Sequence, residues 1–292
     1  MALARIEPPV DGPSSPAPSP VTRAASRWGD LRLRILSAAV LAPLALVCIW
    51  IGGFAFTALV MLIAIGLAYE WLGLCRQRRS TAAIVLFAAL PLAAFATGAG
   101  HPTYGILLLL LATGAAIAHS QGISRSQPLA FGIPYLGLGA VALVWLRQPT
   151  AVGGVNVIVL LLIVWASDIG AYMIGRAFGG PRLAPAVSPG KTWSGAFGGL
   201  VAAACVGFAA SAILGNGAVS WRPAIFAILI GLISQAGDLF ESVLKRHFGV
   251  KDSGALIPGH GGLLDRLDAV LTAAPAGALL ALILGRGVVL WQ

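Results

Sequence analysis

Charge is scarce in this sequence. Only 10% of its 292 residues are charged and 58% are hydrophobic, whereas a soluble globular domain carries about a quarter charged residues. A water-soluble domain is therefore excluded, and most of the chain belongs in lipid. Cysteine is scarcer still. Cys48, Cys75 and Cys205 lie far apart in or beside apolar stretches, which excludes a disulfide framework or a zinc site of paired cysteines. The net charge is +9, but the basic residues sit at the ends of apolar runs and form no stripe with interleaved aromatics. That argues against nucleic acid as a partner. The two halves show no repeat and the carboxylates crowd into one of them, which argues against an ion-coupled transporter built from inverted repeats.

What is present is a series of apolar runs. Nine of them, each near the ~20 residues that cross a bilayer core, begin near positions 35, 55, 81, 103, 128, 154, 193, 222 and 269. The expected fold is all-α, a polytopic membrane protein of about nine transmembrane helices. Residues 1–30, with Pro8, Pro9, Pro13, Pro16, Pro18 and Pro20 among Ser and Ala, lack the apolar periodicity of a core and are expected to be a disordered tail. Residues 31–150 are expected to form N-terminal transmembrane helices, and 151–292 a C-terminal catalytic region. With the N-terminus in the cytoplasm, 16 of the 19 Lys and Arg fall on that side, leaving Arg147, Arg222 and Arg286 opposite; the positive-inside rule selects this orientation. Trp28, Trp50, Trp145, Trp221 and Trp291 lie near expected span ends, where their rings suit the headgroup layer. Small residues at Gly195, Ala196, Gly198 and Gly199 allow close helix contact within one chain or across a homodimer.

Acidic residues are few enough that each one matters. Outside the tail they are Glu70, Asp168, Asp238, Glu241, Asp252, Asp265 and Asp268. A carboxylate in or beside a span costs free energy unless it is paired, solvated or bound to a cation, so each marks a candidate site. On a helix, Asp238, Glu241, Ser242 and Lys245 share one face, and Asp265 and Asp268 do so on another. Between them Gly254, Pro258, Gly259, Gly261 and Gly262 form a loop able to approach a ligand closely. Such a cage of hard oxygens suits Mg²⁺, and Lys245, Arg246, Lys251 and Arg266 add positive charge for phosphate oxygens. A second cluster consists of Asp168, inside an apolar run, and Ser188-Pro189-Gly190-Lys191-Thr192-Trp193, a turn entering the next span. Helix N-termini favour anions, yet this is not a Walker A loop, whose first glycine would fall at Pro185. All three lysines of the chain, Lys191, Lys245 and Lys251, lie in these two segments.

The stretch from Ser242 to Asp268, SVLKRHFGVKDSGALIPGHGGLLDRLD, resembles the signature of the phosphatidate cytidylyltransferases over its whole length. Asp168 with Gly170, Ala171 and Tyr172, and the Ser188–Trp193 turn, also match; at Gly190 family members often carry Lys. The resemblance covers roughly 150–290, with Glu70-Trp71 the one feature shared upstream. It implies attack of the phosphatidate phosphate on the α-phosphorus of CTP, with release of pyrophosphate and a need for Mg²⁺, one ion or two. It makes Asp238 and Asp265 the first metal ligands and Glu241 and Asp268 the second. Lys245, Lys251, Arg266 and His260 complete the catalytic set, and Asp168, Ser188, Lys191, Thr192 and Arg246 the substrate-binding set. A phosphate monoester is already a competent nucleophile near neutral pH, so His260 is either a base or a hydrogen-bonding scaffold. The implied partners are CTP, phosphatidate and membrane lipids, and the implied location is the inner (plasma) membrane with the site facing the cytoplasm. The same chemistry on another lipid phosphate is the nearest alternative.

Overall fold

The structure is a computed structural model, and residues 20–119, 123–148, 152–215, 220–284 and 290–291 of it are described here. Residues 1–19 of the expected tail, and the side chains of Trp28, Arg125 and Arg286, lie outside that description. In lipid every backbone N–H and C=O needs an internal partner, and a helix supplies one within a single segment. The apolar runs accordingly become α1 (Pro20–Ile51), α2 (Gly53–Leu74), α3 (Thr81–Phe87), α4 (Ala89–Gly98), α5 (Pro102–His119), α6 (Ile123–Leu146), α7 (Gly153–Phe178), α8 (Trp193–Leu214), α9 (Arg222–His247) and α10 (Leu264–Leu284). Helix α1 begins inside the stretch 1–30 rather than after it.

Eight segments are long and apolar enough to cross a membrane, α3 and α4 counting as one, and α5 adds a shorter apolar helix over Pro102–Ala118. The nine expected runs are thus all helical among the described residues. The third is jointed at Ala88. Pro91 has no N–H to offer the carbonyl of Phe87 and its ring crowds that carbonyl, which favours a joint here, whereas Pro43, Pro134 and Pro275 are carried inside α1, α6 and α10.

Among the described residues a strand pair interrupts the helices between α7 and α8. Arg182–Ala184 (β1) and Ser188–Thr192 (β2) pair as an antiparallel hairpin between α7 and α8. This places the Ser188–Thr192 segment, expected to be a plain turn, in a strand that ends directly at a helix.

Helices α7, α8 and α9 pack side by side, and α10 lies against α9 and α6. The small residues of α8 make the first contact possible. A Cβ at Gly199 would lie 2.6 Å from the Ser167 carbonyl, and one at Gly195 would lie 2.7 Å from that of Ala171. The stripe is therefore filled by α7 of the same chain. Large apolar side chains such as Trp50, Phe54, Phe197 and Ile213 point outward, the arrangement of a surface facing lipid tails. Trp221 is likewise exposed, but Trp291 is fully buried rather than at an interface, with the Leu290 N–H donating to Asn156 Oδ1 at 3.2 Å.

Two sets of contacts identify the two ends of the bundle. At one end Arg147, after α6, donates to the carbonyls of Ile49 (2.5 Å) and Trp50 (2.9 Å) at the end of α1, and Gln148 to that of Thr97 in α4. The turn there runs through Gly52 at φ 67°, where a Cβ would strike the Arg147 guanidinium. At the other end meet the C-terminal parts of α2 and α9 and the N-terminal parts of α1, α8 and α10, and the motifs are there.

Candidate active site

The site is built around the first turn of α10. Asp265 accepts from the backbone N–H of Ser253 (3.0 Å to Oδ2) and of Gly262 (3.1 Å), which draws the loop between α9 and α10 into a tight ring around one carboxylate. Gly262 has no alternative at this point, since a Cβ would fall 2.7 Å from Asp265 Oδ2 and on top of Ser253 Oγ. The same carboxylate takes the Lys245 ammonium at 2.9 Å, and Lys245 also lies 2.6 Å from Glu241, one turn earlier on α9. Glu241 is only 1% exposed, and its contact with Lys245 is an ion pair without hydrogen-bond alignment. Burying that carboxylate is tolerable because the ammonium is within contact.

A second ion pair lies alongside. Lys191, in β2, reaches Asp238 on α9 at 2.5 Å. Asp168 on α7, Asp238 and Asp268 on α10 lie within electrostatic reach of one another, so three helices contribute carboxylates to one region. Asp268 accepts from the Ala269 N–H at 2.8 Å. Asp168 is exposed and has no ion pair among the described residues.

The remaining sequence-selected residues divide by what they touch. Thr192 is buried and caps α8, its Oγ1 accepting from the Gly195 N–H at 3.1 Å, as a residue before a helix does to satisfy an orphan donor. Ser188 opens β2, half-buried. Arg266 turns back onto the His260 carbonyl at 2.7 Å. His260 pairs through Nδ1 with Ser37 Oγ at 2.9 Å, a scaffold geometry. Arg246 and Lys251 are exposed.

Two residues that the sequence did not single out, and Glu70, which it marked only as a carboxylate beside a span, hold this loop. Arg34 Nε donates to the Gly259 carbonyl at 2.7 Å, and Ser37 Oγ to that of Pro258 at 3.2 Å, so α1 clamps the loop. Glu70 on α2 is fully buried and accepts from Leu264 N–H (2.8 Å), Leu263 N–H (3.0 Å) and Ser253 Oγ (3.3 Å). Glu70 had a signal, being the one acid in the apolar half. Arg34 and Ser37 had none, because an Arg at a span end reads as a topology marker. The loop is therefore held by residues on both sides of position 150.

The expected metal ligands come together as pairs rather than as a cage. Among the described residues no three His, Cys, Asp or Glu converge closely enough to hold an ion by themselves. Mg²⁺ does not need three, since it is held by one or two carboxylates together with water and substrate phosphates. Asp168, Asp238 and Asp268 fit that requirement by donor chemistry, being hard-oxygen ligands from three helices in one electrostatic neighbourhood.

Helices long enough to span a bilayer, with carboxylates and ammonium groups gathered at one end of the bundle, define a multi-pass membrane enzyme acting on a charged substrate. The chain belongs to the Cytidylyltransferase family, whose model matches residues 32–284. It is similar to the phosphatidate cytidylyltransferase of Brucella suis biovar 1, 41% identical over 258 residues, which are 84% of this chain and 91% of that one. It is also similar to the phosphatidate cytidylyltransferases of Pseudomonas aeruginosa, 35% identical over 88% of this chain and 99% of that one, and of Thermotoga maritima, 32% identical over 87% and 97%.

Proposed function

We infer that this protein transfers the cytidylyl group of CTP to phosphatidate, giving CDP-diacylglycerol and pyrophosphate. The observation that carries the reading is the Lys245–Asp265 pair, wrapped by the glycine-rich loop within the family's matched region. An oxygen of the phosphatidate phosphate forms a bond to the α-phosphorus of CTP, the bond from that phosphorus to the bridging oxygen of the β-phosphate breaks, and pyrophosphate leaves with the electron pair. No base is required, because the attacking phosphate is already anionic.

The chain's own part is to hold two polyanions together and offset their charge. Lys191 in the hairpin and Arg246, Lys251 and Arg266 in or beside the loop bind the triphosphate and the lipid phosphate. Lys191 is held on Asp238 until an incoming phosphate competes for it. Lys245 stays between Glu241 and Asp265 and keeps the ends of α9 and α10 in register, while Ser188 and Thr192 shape the hairpin that presents Lys191. His260 positions the loop through Ser37. Asp238 with Asp168 or Asp268 would hold Mg²⁺, and the ion would add positive charge for the phosphate oxygens. Lipid enters sideways from the bilayer and CTP from the cytoplasm, at the inner membrane; the bias of Lys and Arg toward the motif end supports that face.

The test is incorporation of labelled CTP into chloroform-soluble product by purified protein, with phosphatidate or a polyprenyl phosphate, with and without Mg²⁺. Label entering lipid only with phosphatidate and Mg²⁺ is the expected result. Equal transfer to the polyprenyl phosphate, or transfer unaffected by a chelator, would overturn the corresponding part of the reading.

A further inference from the structure

We propose that Glu70 is a positioning residue for cytidylyl transfer, acting from the N-terminal half of the chain by latching the loop that holds Asp265. The observations are geometric. Glu70 lies on α2, four residues from its end, and is 0% exposed. Its two oxygens accept three hydrogen bonds, all from one short segment more than 180 residues away: Oε1 from Leu263 N–H, and Oε2 from Leu264 N–H and Ser253 Oγ. No Lys or Arg forms an ion pair with it among the described residues.

A carboxylate in so dry a place is costly unless its lone pairs are filled. What fills them here is the start of α10. The first N–H groups of a helix have no partner within the helix, and its N-terminus favours negative charge. Glu70 thus caps α10 from a different helix, where a residue just before the helix would ordinarily do so. The approach is close enough to exclude any side chain at position 254, since a Cβ on Gly254 would lie 2.4 Å from Glu70 Oε1.

The latch bears on chemistry through shared atoms. Ser253 gives its hydroxyl to Glu70 and its backbone N–H to Asp265. Leu264 gives its N–H to Glu70 and is followed directly by Asp265. Ser253 is therefore held by both carboxylates, and on the other side of the loop Gly262 donates to Asp265 while Leu263 and Leu264 donate to Glu70. Releasing Glu70 frees the loop at both points and lets Asp265 and its Lys245 partner drift from the substrate phosphates. A displacement of about 1 Å is enough to cost about a hundredfold in rate.

The inference rests on the reading of Asp265 and the loop as part of the active site, so the test separates the two. Purified full-length Glu70→Gln, Glu70→Asp and Asp265→Asn proteins are compared for backbone hydrogen exchange and for labelled-CTP transfer. Gln keeps size and shape but turns an NH₂ group toward N–H donors; Asp keeps the charge but is one methylene short. The expected result for Glu70→Gln is faster exchange confined to 252–266, a kcat at least tenfold lower, and a KM for CTP changed less than threefold. Glu70→Asp should recover part of both losses. Exchange unchanged over 252–266 overturns the latch. Faster exchange with kcat within twofold of the parent shows a latch outside the catalytic machinery, and Asp265→Asn with normal kcat shows that the site reading has failed. Faster exchange throughout the chain makes Glu70 a general structural residue and overturns the proposal.

Discussion

Asp265 illustrates how one side chain can be singled out by type while its contacts stay unread. Its spacing from Asp268 and its place in the signature mark it as a candidate, but nothing in the sequence says that it collects two backbone N–H groups as well as an ammonium. Asn at 265 keeps one acceptor and places an NH₂ group where donors already point. Asp265→Asn should therefore lower turnover by about a hundredfold or more, the scale of losing a preorganised electrostatic group, while the purified protein elutes unchanged from size exclusion. Near-normal transfer of labelled CTP would remove Asp265 from the site. Cys75 makes a different prediction. It follows α2, and burial pushes its thiol from 9.0 up to about 12. The thiolate is the reactive form, so at pH 7.5 almost none is present. In a variant carrying Cys48→Ser and Cys205→Ser, maleimide should label Cys75 slowly at pH 7.5 and faster as pH rises above 9. The sign for stability follows: the unfolded thiol ionises first, so alkaline pH between about 9 and 12 favours the unfolded chain. Fast labelling at pH 7.5 would show that the thiol is not buried.

The helices themselves follow directly from the apolar runs, and their ends are where local chemistry decides. Residues 81–98 read as one span because hydropathy is blind to the missing N–H of Pro91, which joints it into α3 and α4. The hairpin β1–β2 was equally hidden, since a three-residue strand has no period to detect. The sequence offers Thr192 only as part of a candidate substrate-binding turn, while the structure shows the work its hydroxyl does as the cap of α8. Thr192→Ala should cost about 1 kcal/mol, seen as a lower midpoint in thermal unfolding in detergent, and Thr192→Ser should restore most of it. If Ala and Ser variants melt alike, the cap is not contributing. Because β2 ends at this residue and carries Lys191, the Ala variant should also weaken CTP binding, raising KM before kcat.

Across the whole molecule, the candidate site was legible in the half whose polar residues stand out against lipid-like sequence, and illegible where its supports are ordinary side chains at helix ends. Arg34 and Ser37 look like a topology marker and a small span residue, and only the folded contact between α1 and the Pro258–His260 segment gives them a role. Charge counting, by contrast, makes its expectation at this scale, because the membrane imposes a bias on whole loops. The described helices alternate consistently: the starts of α1, α8 and α10 and the ends of α2 and α9 gather at the motif end, while Arg147, Gln148 and Thr97 meet at the other. If the motif end is cytoplasmic, cysteines placed singly at Ser188 and Asp252, with Cys48, Cys75 and Cys205 replaced by Ser, should react with a membrane-impermeant maleimide only after cells are permeabilised. A cysteine at His101, between α4 and α5, should react in intact cells. The reverse pattern would put the loop and hairpin outside, away from the cytoplasmic pool of CTP, and would refute the orientation while leaving the helix count intact. Labelling of all three positions from the same side would instead refute the alternation, because the segment from Pro102 to Ala118, shorter than any of the eight candidate spans, would then fail to cross.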